Sequence, residues 1–600
     1  MSVIDVPAGP QPIFSEDGRS CIVFNGEVYN HAALRRELRA KGVRFRTRTD
    51  TEVALQAFRA WGGESLQRLR GMFAFAVWDM DKEALFLARD RLGIKPLYHT
   101  ECEDGTFIFA SEIKALLAHP AVTPRVNPQA VDQLFTFGFH VAPHTFFKGV
   151  EQLLPGHCLT LSAGEKNLRC YWDVDGTMEL LQDSETHLVE RFREKLQEGV
   201  ELGMVSDVPV GVYLSGGIDS TAIASLAAPV SRNPLRTLSI TFDEAEYDER
   251  NFSRMVASAL GAEHHEFQCS VEEEDVVGMI RALENPIVSL LHLPLFLLSR
   301  DARNLGLKVI LTGDGSDEIL GGYDYFQQIK CMEFMHRGGE GRWRRNILKR
   351  LYPSLEGPGQ VDLLFDHLTE AAGRFPLKHP AVPYRYRQFQ FKEQLYSNDF
   401  ASSLPPWDFS SLHLGSLHRF QNRPLFDQAI YLEMKMRLLN LTLPLADKMA
   451  MVHSVEVRPL FLDHELVELL FQIPPHLKMR GLNEKFLLKE AMRGLIPEKV
   501  RTRKKQPFNP PAPWFLRTVK GLVEETLIPR RVKEAGYFDP SFVQQMLHHF
   551  QKGKTPDLSG LLVVIFFVQL WHQVMIEGRH EYTVENLPEE GFLQRAGVCP

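Results

Sequence analysis

Short apolar runs alternate with turn residues through the first quarter of the chain. Cys21-Ile22-Val23-Phe24, Met72 to Trp78, Ala84 to Ala88 and Thr106 to Ala110 are compact and bounded by Gly, Asp or charged residues, the signature of half-buried or buried β-strands. Helical periodicity lies between them at 31–41 and 51–61, where apolar positions recur every three to four residues. The pattern predicts a layered α+β unit over this part of the chain.

A polar stretch near 173–185 ends that texture. From Thr186 onward, long amphipathic helical patterns alternate with short apolar runs at 208–214, 236–242 and 307–312. Strands that alternate with helices predict a parallel sheet with right-handed crossovers, whose ligands bind at the carboxyl ends of the strands. Beyond about residue 325 the pattern is helical, except for an aromatic and Pro-rich segment at 375–410 that it does not assign. The run Leu561 to Leu570 is apolar throughout but about half the length a bilayer requires. It predicts a buried core helix, and no membrane partner.

Length and composition narrow the picture. Six hundred residues exceed what one compact core accommodates, so two or more domains are expected. The net charge of -8 argues against a general nucleic-acid binder, whose footprint is basic. The basic cluster Arg342-Trp343-Arg344-Arg345 with Lys349-Arg350 reads as a solvated helix face. Seven scattered cysteines without a C-x-x-C pair fit neither a disulfide framework nor a zinc site and suit a reducing cytoplasm. Tandem His264-His265 near Cys269 reads as a packed or surface pair, because adjacent side chains point apart. No charged segment followed by an apolar stretch opens the chain, so no signal peptide is expected.

The candidate chemistry begins where the strand at 208–214 runs into Ser215-Gly216-Gly217-Ile218-Asp219-Ser220 and a helix follows over Thr221 to Ala227. Glycines let the backbone approach an anion, and the free N–H groups of a first helical turn bind it. Ser215 and Ser220 add hydroxyls. The loop has no Lys, so it is not a Walker A motif, and Asp219 beside a phosphate site calls for a cation between them. The S-G-G-x-D-S sequence resembles the PP-loop shared by enzymes that adenylate a substrate and release pyrophosphate. Gly553-Lys554-Thr555 mimics the end of a Walker A, but His548 stands where a Gly is needed and Pro556 follows; it reads as a loop.

The run at 307–312 leads into Gly313-Asp314-Gly315-Ser316-Asp317-Glu318. Three carboxylates within five residues are costly without cations or protons. On a parallel sheet this strand end shares an edge with the first loop, so Asp317 and Asp219 are expected to hold one or two Mg2+ ions on the pyrophosphate. Asp314 is expected nearer the acceptor, as general base or orienter. A third element, Arg503-Lys504-Lys505-Gln506-Pro507-Phe508, offers a lysine to neutralise charge developing on phosphate.

Over nearly its whole length the chain resembles the glutamine-hydrolysing asparagine synthetase family. Leu214 to Ser220 is similar to the family's ATP loop, and Gly313 to Tyr323 to its second signature. Asp447 to Met451 followed by Ser454 to Arg458 is similar to a third, and Lys505 falls on its phosphate-binding lysine. The resemblance implies an ATP site of Leu214, Ser215, Gly216, Gly217, Asp219, Ser220, Thr241 and Gly313, metal ligands Asp219 and Asp317, and catalytic roles for Asp314 and Lys505. It implies that Mg-ATP and aspartate give β-aspartyl-AMP and pyrophosphate, and that ammonia then yields asparagine and AMP. Phe24 to Asn30 and Thr49 to Glu52 resemble the family's glutamine-binding segments. By that match Asn25 and Gly26 supply the oxyanion hole, and Glu27 and Asp50 hold the substrate's amino-acid end. The implied fold is α/β. An incomplete N-terminal-nucleophile glutaminase domain over 1–170 precedes a parallel-sheet PP-loop ATP pyrophosphatase domain over 186–600 with a helical C-terminal part. The implied partners are small molecules (aspartate or another carboxylate, glutamine or ammonia, ATP), with a homodimer as the assembly to expect.

The sequence departs from the family pattern in three places. The family's glutaminase domain opens with a cysteine nucleophile, whereas this chain opens Met1-Ser2-Val3 within a segment the family places about fifty residues further in. The glutaminase half is therefore expected to be inactive as given. Either the natural start lies upstream or the chain depends on free ammonia; the first is favoured. Arg458-Pro459-Leu460-Phe461-Leu462-Asp463 stands where the family usually reads R-V-P-F-L-D, and the stretch from Tyr323 to Asp447 is long. Both lie near the expected acceptor site, leaving open a relative that amidates a cell-wall or secondary-metabolite precursor, or one like β-lactam synthetase. A non-catalytic ATP-binding subunit is the reading of a different class, disfavoured by Asp219, Asp317 and Lys505.

Overall fold

The computed structural model describes residues 3–242, 248–336, 392–405, 414–503, 510–553 and 558–578. The segment up to Cys170 carries nine strands: β1 (Ile13–Phe14), β2 (Ser20–Val28), β3 (Gly71–Asp79), β4 (Ala84–Arg89), β5 (Tyr98–Glu101), β6 (Phe107–Ala110), β7 (Glu151–Gln152), β8 (His157–Ser162) and β9 (Glu165–Cys170). Six of them form one sheet in the order β1-β2-β3-β4-β8-β9, and three form another in the order β6-β5-β7. All pairings in both are antiparallel.

Alternation along β2 sets the layering. Ile22 and Phe24 are buried while Cys21 and Val23 face the more open side, as the two-residue period of a strand requires. The buried face receives Leu34 and Leu38 from the helix His31–Ala40, and Val53, Ala54 and Ala57 from the helix Asp50–Trp61. Both helices lie where periodicity predicts them. The second is started by Thr49, whose hydroxyl accepts the Glu52 N–H, an N-cap that satisfies one of the orphan donors of the first turn.

The second half is built on a five-stranded parallel sheet. Its strands are β10 (Val210–Tyr213), β11 (Arg236–Thr241), β12 (Glu263–Gln268), β13 (Val309–Thr312) and β14 (Glu456–Pro459). They run in the order β12-β11-β10-β13-β14, every pair parallel. The fold class is the expected one: an α+β segment, then an α/β parallel sheet, then a largely helical C-terminal part. Two strands of this sheet went unpredicted. β12 reads Glu-His-His-Glu-Phe-Gln and lies at the sheet edge, where polar residues conceal the strand period. β14 is buried at all four positions, so it shows no alternation to detect.

The apolar run near 561–570 lies in the helix Ser559–Trp571. The 18 residues Ser559–Ile576 have a mean hydropathy of 1.8 and are 72% buried within the protein. Phe515 stacks on Phe567 and Trp571 meets Phe146 and Phe147, so core packing accounts for the helix's composition. The unassigned 375–410 segment lies largely outside the described residues, as do the basic cluster at 342–350 and Lys505.

Candidate active site

The first loop follows directly from β10. The Leu214 N–H donates to the Leu238 carbonyl at 2.8 Å, carrying the sheet one residue further before the chain turns at Gly216, whose φ is +75°. A side chain is barred there twice over. Besides the left-handed backbone, a Cβ would lie 2.6 Å from Phe252 Cβ and 2.7 Å from the Ser253 nitrogen. The Ser215 and Ser220 hydroxyls lie 3.2 Å apart, and Ser215 Oγ accepts the Gly217 N–H at 3.2 Å. The helix Ile218–Ala227 then starts with no side-chain cap, so its first-turn donors remain for a ligand. Thr241 ends β11 on the neighbouring strand, buried, with its hydroxyl donating to the Phe267 carbonyl at 3.2 Å. The Leu214 side chain is also buried.

The second loop, after β13, lies against the first. A Cβ on Gly313 would come within 2.7 Å of Asp219 Cβ and 2.9 Å of the Ser220 nitrogen, a closeness only glycine permits. Ser316 Oγ donates to Asp219 Oδ1 at 2.7 Å, a link to which sequence patterning assigns no role. Glu318 is buried and accepts from the Tyr323 hydroxyl at 2.8 Å and the Thr442 hydroxyl at 2.7 Å. Burial, and then the Asp317 charge, push its carboxyl upward. Asp314 is pushed up to about 6, mainly by desolvation; the Thr312 hydroxyl opposes the shift, and Glu318, Asp219 and Asp317 add to it.

Between the two loops stands a residue that the sequence did not single out. Lys485 Nζ lies 2.7 and 2.6 Å from the two Asp219 carboxylate oxygens and 2.6 Å from Asp317 Oδ1. Its side chain is 3% exposed. Burial alone would lower its pKa, but Asp219 and Asp317 outweigh that and hold it above the usual lysine value. Lys485 has φ +52° and precedes the helix Phe486–Ala491. Its one sequence signal is a charge at the start of the apolar run Phe486-Leu487-Leu488, which reads equally well as a helix boundary.

Asp219 and Asp317 thus already hold a cation between them, and their donor set suits a second kind. No group of three or more His, Cys, Asp or Glu side chains arranged for a metal occurs among the described residues. Two carboxylates are what Mg2+ commonly takes from a protein when phosphate oxygens and water complete its octahedron.

Arg503 flanks the first loop. Its guanidinium donates to the Gly216 carbonyl at 3.4 Å, forms an ion pair with Glu249 and lies 4.3 Å over the Phe252 ring. The candidate Lys505, two residues on, lies outside the described residues.

The candidate glutamine-binding residues gather on β2 and the start of the helix Asp50–Trp61. Asn25 Nδ2 donates to Ser111 Oγ at 3.2 Å. Gly26 has φ +137°, and a Cβ there would lie 2.0 Å from the Met72 carbonyl oxygen on β3. Asp50 accepts the Val28 N–H at 2.9 Å; burial pushes it up to about 6. Glu27 is shifted upward by burial and then by the Asp50 charge. Arg458 Nη2 reaches to 3.6 Å from Glu27, so the charge facing this pair comes from β14 of the parallel sheet. His264 and His265 point apart on β12, toward Thr237 and Glu263 respectively.

The chain matches the asparagine synthase family over residues 191–573 and the glutamine amidotransferase domain over residues 1–172. It is 30% identical to Asparagine synthetase [glutamine-hydrolyzing] 1 of Bacillus subtilis, over 98% of this chain and 90% of that protein. It is 33% identical to Asparagine synthetase [glutamine-hydrolyzing] 3 of the same organism, over 85% of this chain and 78% of that protein. It is also 29% identical to Amidase chry2 of Gibberella zeae, over 95% and 89% respectively.

Proposed function

Because the chain belongs to the asparagine synthase family, we propose that it amidates aspartate to asparagine by way of a β-aspartyl-AMP intermediate, using ATP and releasing pyrophosphate. The observation that carries this reading is the meeting of the two loops: Asp219 and Asp317 face one cation, and Gly313 abuts the Asp219–Ser220 backbone.

The roles follow from the chemistry. A carboxylate is a poor electrophile, and adenylation gives it a good leaving group. Leu214, Ser215, Gly216, Gly217, Ser220, Thr241 and Gly313 form the proposed ATP site, with the uncapped helical turn at Ile218 binding phosphate. Asp219 and Asp317 are the proposed Mg2+ ligands; the ion, when bound, offsets the negative charge of the pyrophosphate leaving group. Lys485 brings a second positive charge to the same oxygens, and Lys505 is proposed to add a third. Asp314, with its raised pKa, is proposed to orient the acceptor or to take a proton from the attacking ammonia.

The nitrogen supply is proposed as ammonia, released from glutamine where an N-terminal cysteine is present and taken from solution where it is not. Asn25 and Gly26 are proposed as the oxyanion hole, Glu27 and Asp50 as the seat of the glutamine ammonium. Glu27 and Asp50 are buried carboxyls with raised pKa values, and a bound ammonium would favour their ionised forms. We propose domains at 1–170 and 186–600 to match this division of labour.

The test is pyrophosphate release from ATP with aspartate and ammonium, compared with Asp219→Ala. Turnover with aspartate that the variant loses is the expected result. The similarity to Amidase chry2 favours a second reading, a different carboxylic acid as acceptor. Pyrophosphate release with another carboxylate and none with aspartate would establish that reading in place of the first.

A further inference from the structure

The Lys485 ammonium contacts both carboxylates proposed to hold metal. It donates to the two Asp219 oxygens and forms an ion pair with Asp317, all at 2.6–2.7 Å. Ser316 occupies Asp219 Oδ1 as well. The ammonium is nearly free of water, and its alkyl chain is wedged beside the glycine turn at 321–322. A Cβ on Gly322 would lie 2.2 Å from Lys485 Cε and 2.0 Å from Asp317 Oδ1. The glycine is the space through which the lysine reaches both acids.

A divalent cation on the same oxygens would have to form bonds of about 2.1 Å to them, within a few ångströms of an ammonium in a weakly screened site. The like-charge repulsion there is large. The lysine therefore offsets one of the two carboxylate charges and occupies the place a metal would take. Polyphosphate changes the balance, because its oxygens are alternative acceptors for the ammonium and additional ligands for the metal.

We infer that Lys485 closes the Asp219–Asp317 pair to divalent metal until the phosphates of a nucleotide draw the ammonium away, so that metal and nucleotide enter the site together. The inference rests on the proposal that this is the ATP site. It adds an order of binding, and a resident counter-cation that fixes the two acids before substrate arrives.

The experiment is a titration of the full chain with Mn2+, followed by electron paramagnetic resonance, with and without α,β-methylene-ATP. The unmodified protein is expected to bind Mn2+ at least about tenfold more tightly when the analogue is present. Lys485→Gln is expected to tighten nucleotide-free Mn2+ binding at least about tenfold, and adding Asp219→Asn to that variant is expected to abolish the gain. Lys485→Arg, which keeps the charge, is expected to retain weak nucleotide-free binding. The inference is overturned if Lys485→Gln leaves nucleotide-free Mn2+ affinity unchanged, or if the unmodified protein binds Mn2+ as tightly without the analogue as with it. The second comparison needs no variant and stands even if Lys485→Gln fails to fold. Failure of the analogue itself to bind would instead remove the ATP site, while the nucleotide-free Mn2+ comparison still judges Lys485.

Discussion

Lys95 Nζ lies 2.6 Å from Asp447 Oδ1, and the two side chains are 1% and 7% exposed. Lys95 belongs to the segment that matches a glutamine amidotransferase domain and Asp447 to the segment that matches asparagine synthase, so this buried pair ties the two halves of the chain together. Others support it: Arg70 grips Asp463 with two nitrogens at 2.7 and 3.0 Å, and Glu284 accepts the Lys114 N–H at 2.7 Å while pairing with Lys448. A buried ion pair need not stabilise relative to an apolar pair of the same shape, but removing one partner strands the other charge. Lys95→Met is expected to cost about 3–5 kcal/mol in urea unfolding, and Lys95→Met with Asp447→Leu distinctly less. Equal losses in the single and double variants would show that the charge pair is not what joins the halves.

Arg503 holds the first loop from outside. It bonds the Gly216 carbonyl, pairs with Glu249 and covers the ring of Phe252, the residue against which Gly216 is pressed. Its removal loosens the loop without touching the two acids. Arg503→Ala is expected to raise KM for ATP about tenfold, a loss of about 1.4 kcal/mol in binding, with a smaller change in kcat. Steady-state pyrophosphate release separates the two constants, and a kcat loss at unchanged KM would contradict this positioning role.

Much of this arrangement was legible in the sequence because backbone geometry and residue type coincide there. Gly216 and Gly313 each stand where any side chain would collide, and Asp219 and Asp317 sit at adjacent parallel strand ends, as strand–turn–helix patterning predicts. Lys485 was not legible, since its partners lie 266 and 168 residues away in sequence and nothing local marks it. The same holds for Arg458: its motif could be recognised, but not that its guanidinium crosses to Glu27. Local periodicity also missed β12 and β14, one too polar and the other too uniformly buried to alternate.

Asp50 makes stability depend on pH in a direction opposite to the usual one for a carboxylate. Its pKa rises from 3.8 to about 6 on folding, because burial penalises its charged form. The folded state then binds the proton more strongly than the unfolded chain. The resulting stability is fully present below pH about 4, declines as pH rises to about 6, and is absent above that. The shift of about two units corresponds to about 3 kcal/mol. Asp50→Asn removes the charge and keeps an acceptor for the Val28 N–H. It is expected to stabilise the protein at pH 8 and to have little effect at pH 4, as measured by urea unfolding at both. Stabilisation of equal size at both pH values would remove the protonation argument.

Asp314 carries the corresponding prediction for activity. It belongs to the loop after β13, is desolvated, and is pushed up to about 6 with Glu318, Asp219 and Asp317 adding to the effect. In either proposed role, accepting a proton from ammonia or fixing the acceptor through a hydrogen bond, the ionised form is the working one. At saturating free ammonia the nitrogen-transfer rate is therefore expected to rise through pH about 6 and to level off above it. Glu318 and Asp317 face the same loop, so the apparent midpoint belongs to the cluster, and a variant is needed to assign it. Asp314→Asn is expected to lower kcat by about 10²–10⁴-fold, the usual contribution of a general base, and to flatten the rise near pH 6. Pyrophosphate–ATP exchange, which stops at the adenylate, distinguishes the roles. If Asp314 acts on ammonia, exchange survives in Asp314→Asn while amide formation falls; if it orients the acceptor, both fall together. An unchanged pH profile in the variant would place the titrating group elsewhere in the cluster, with Glu318 the next carboxylate to replace.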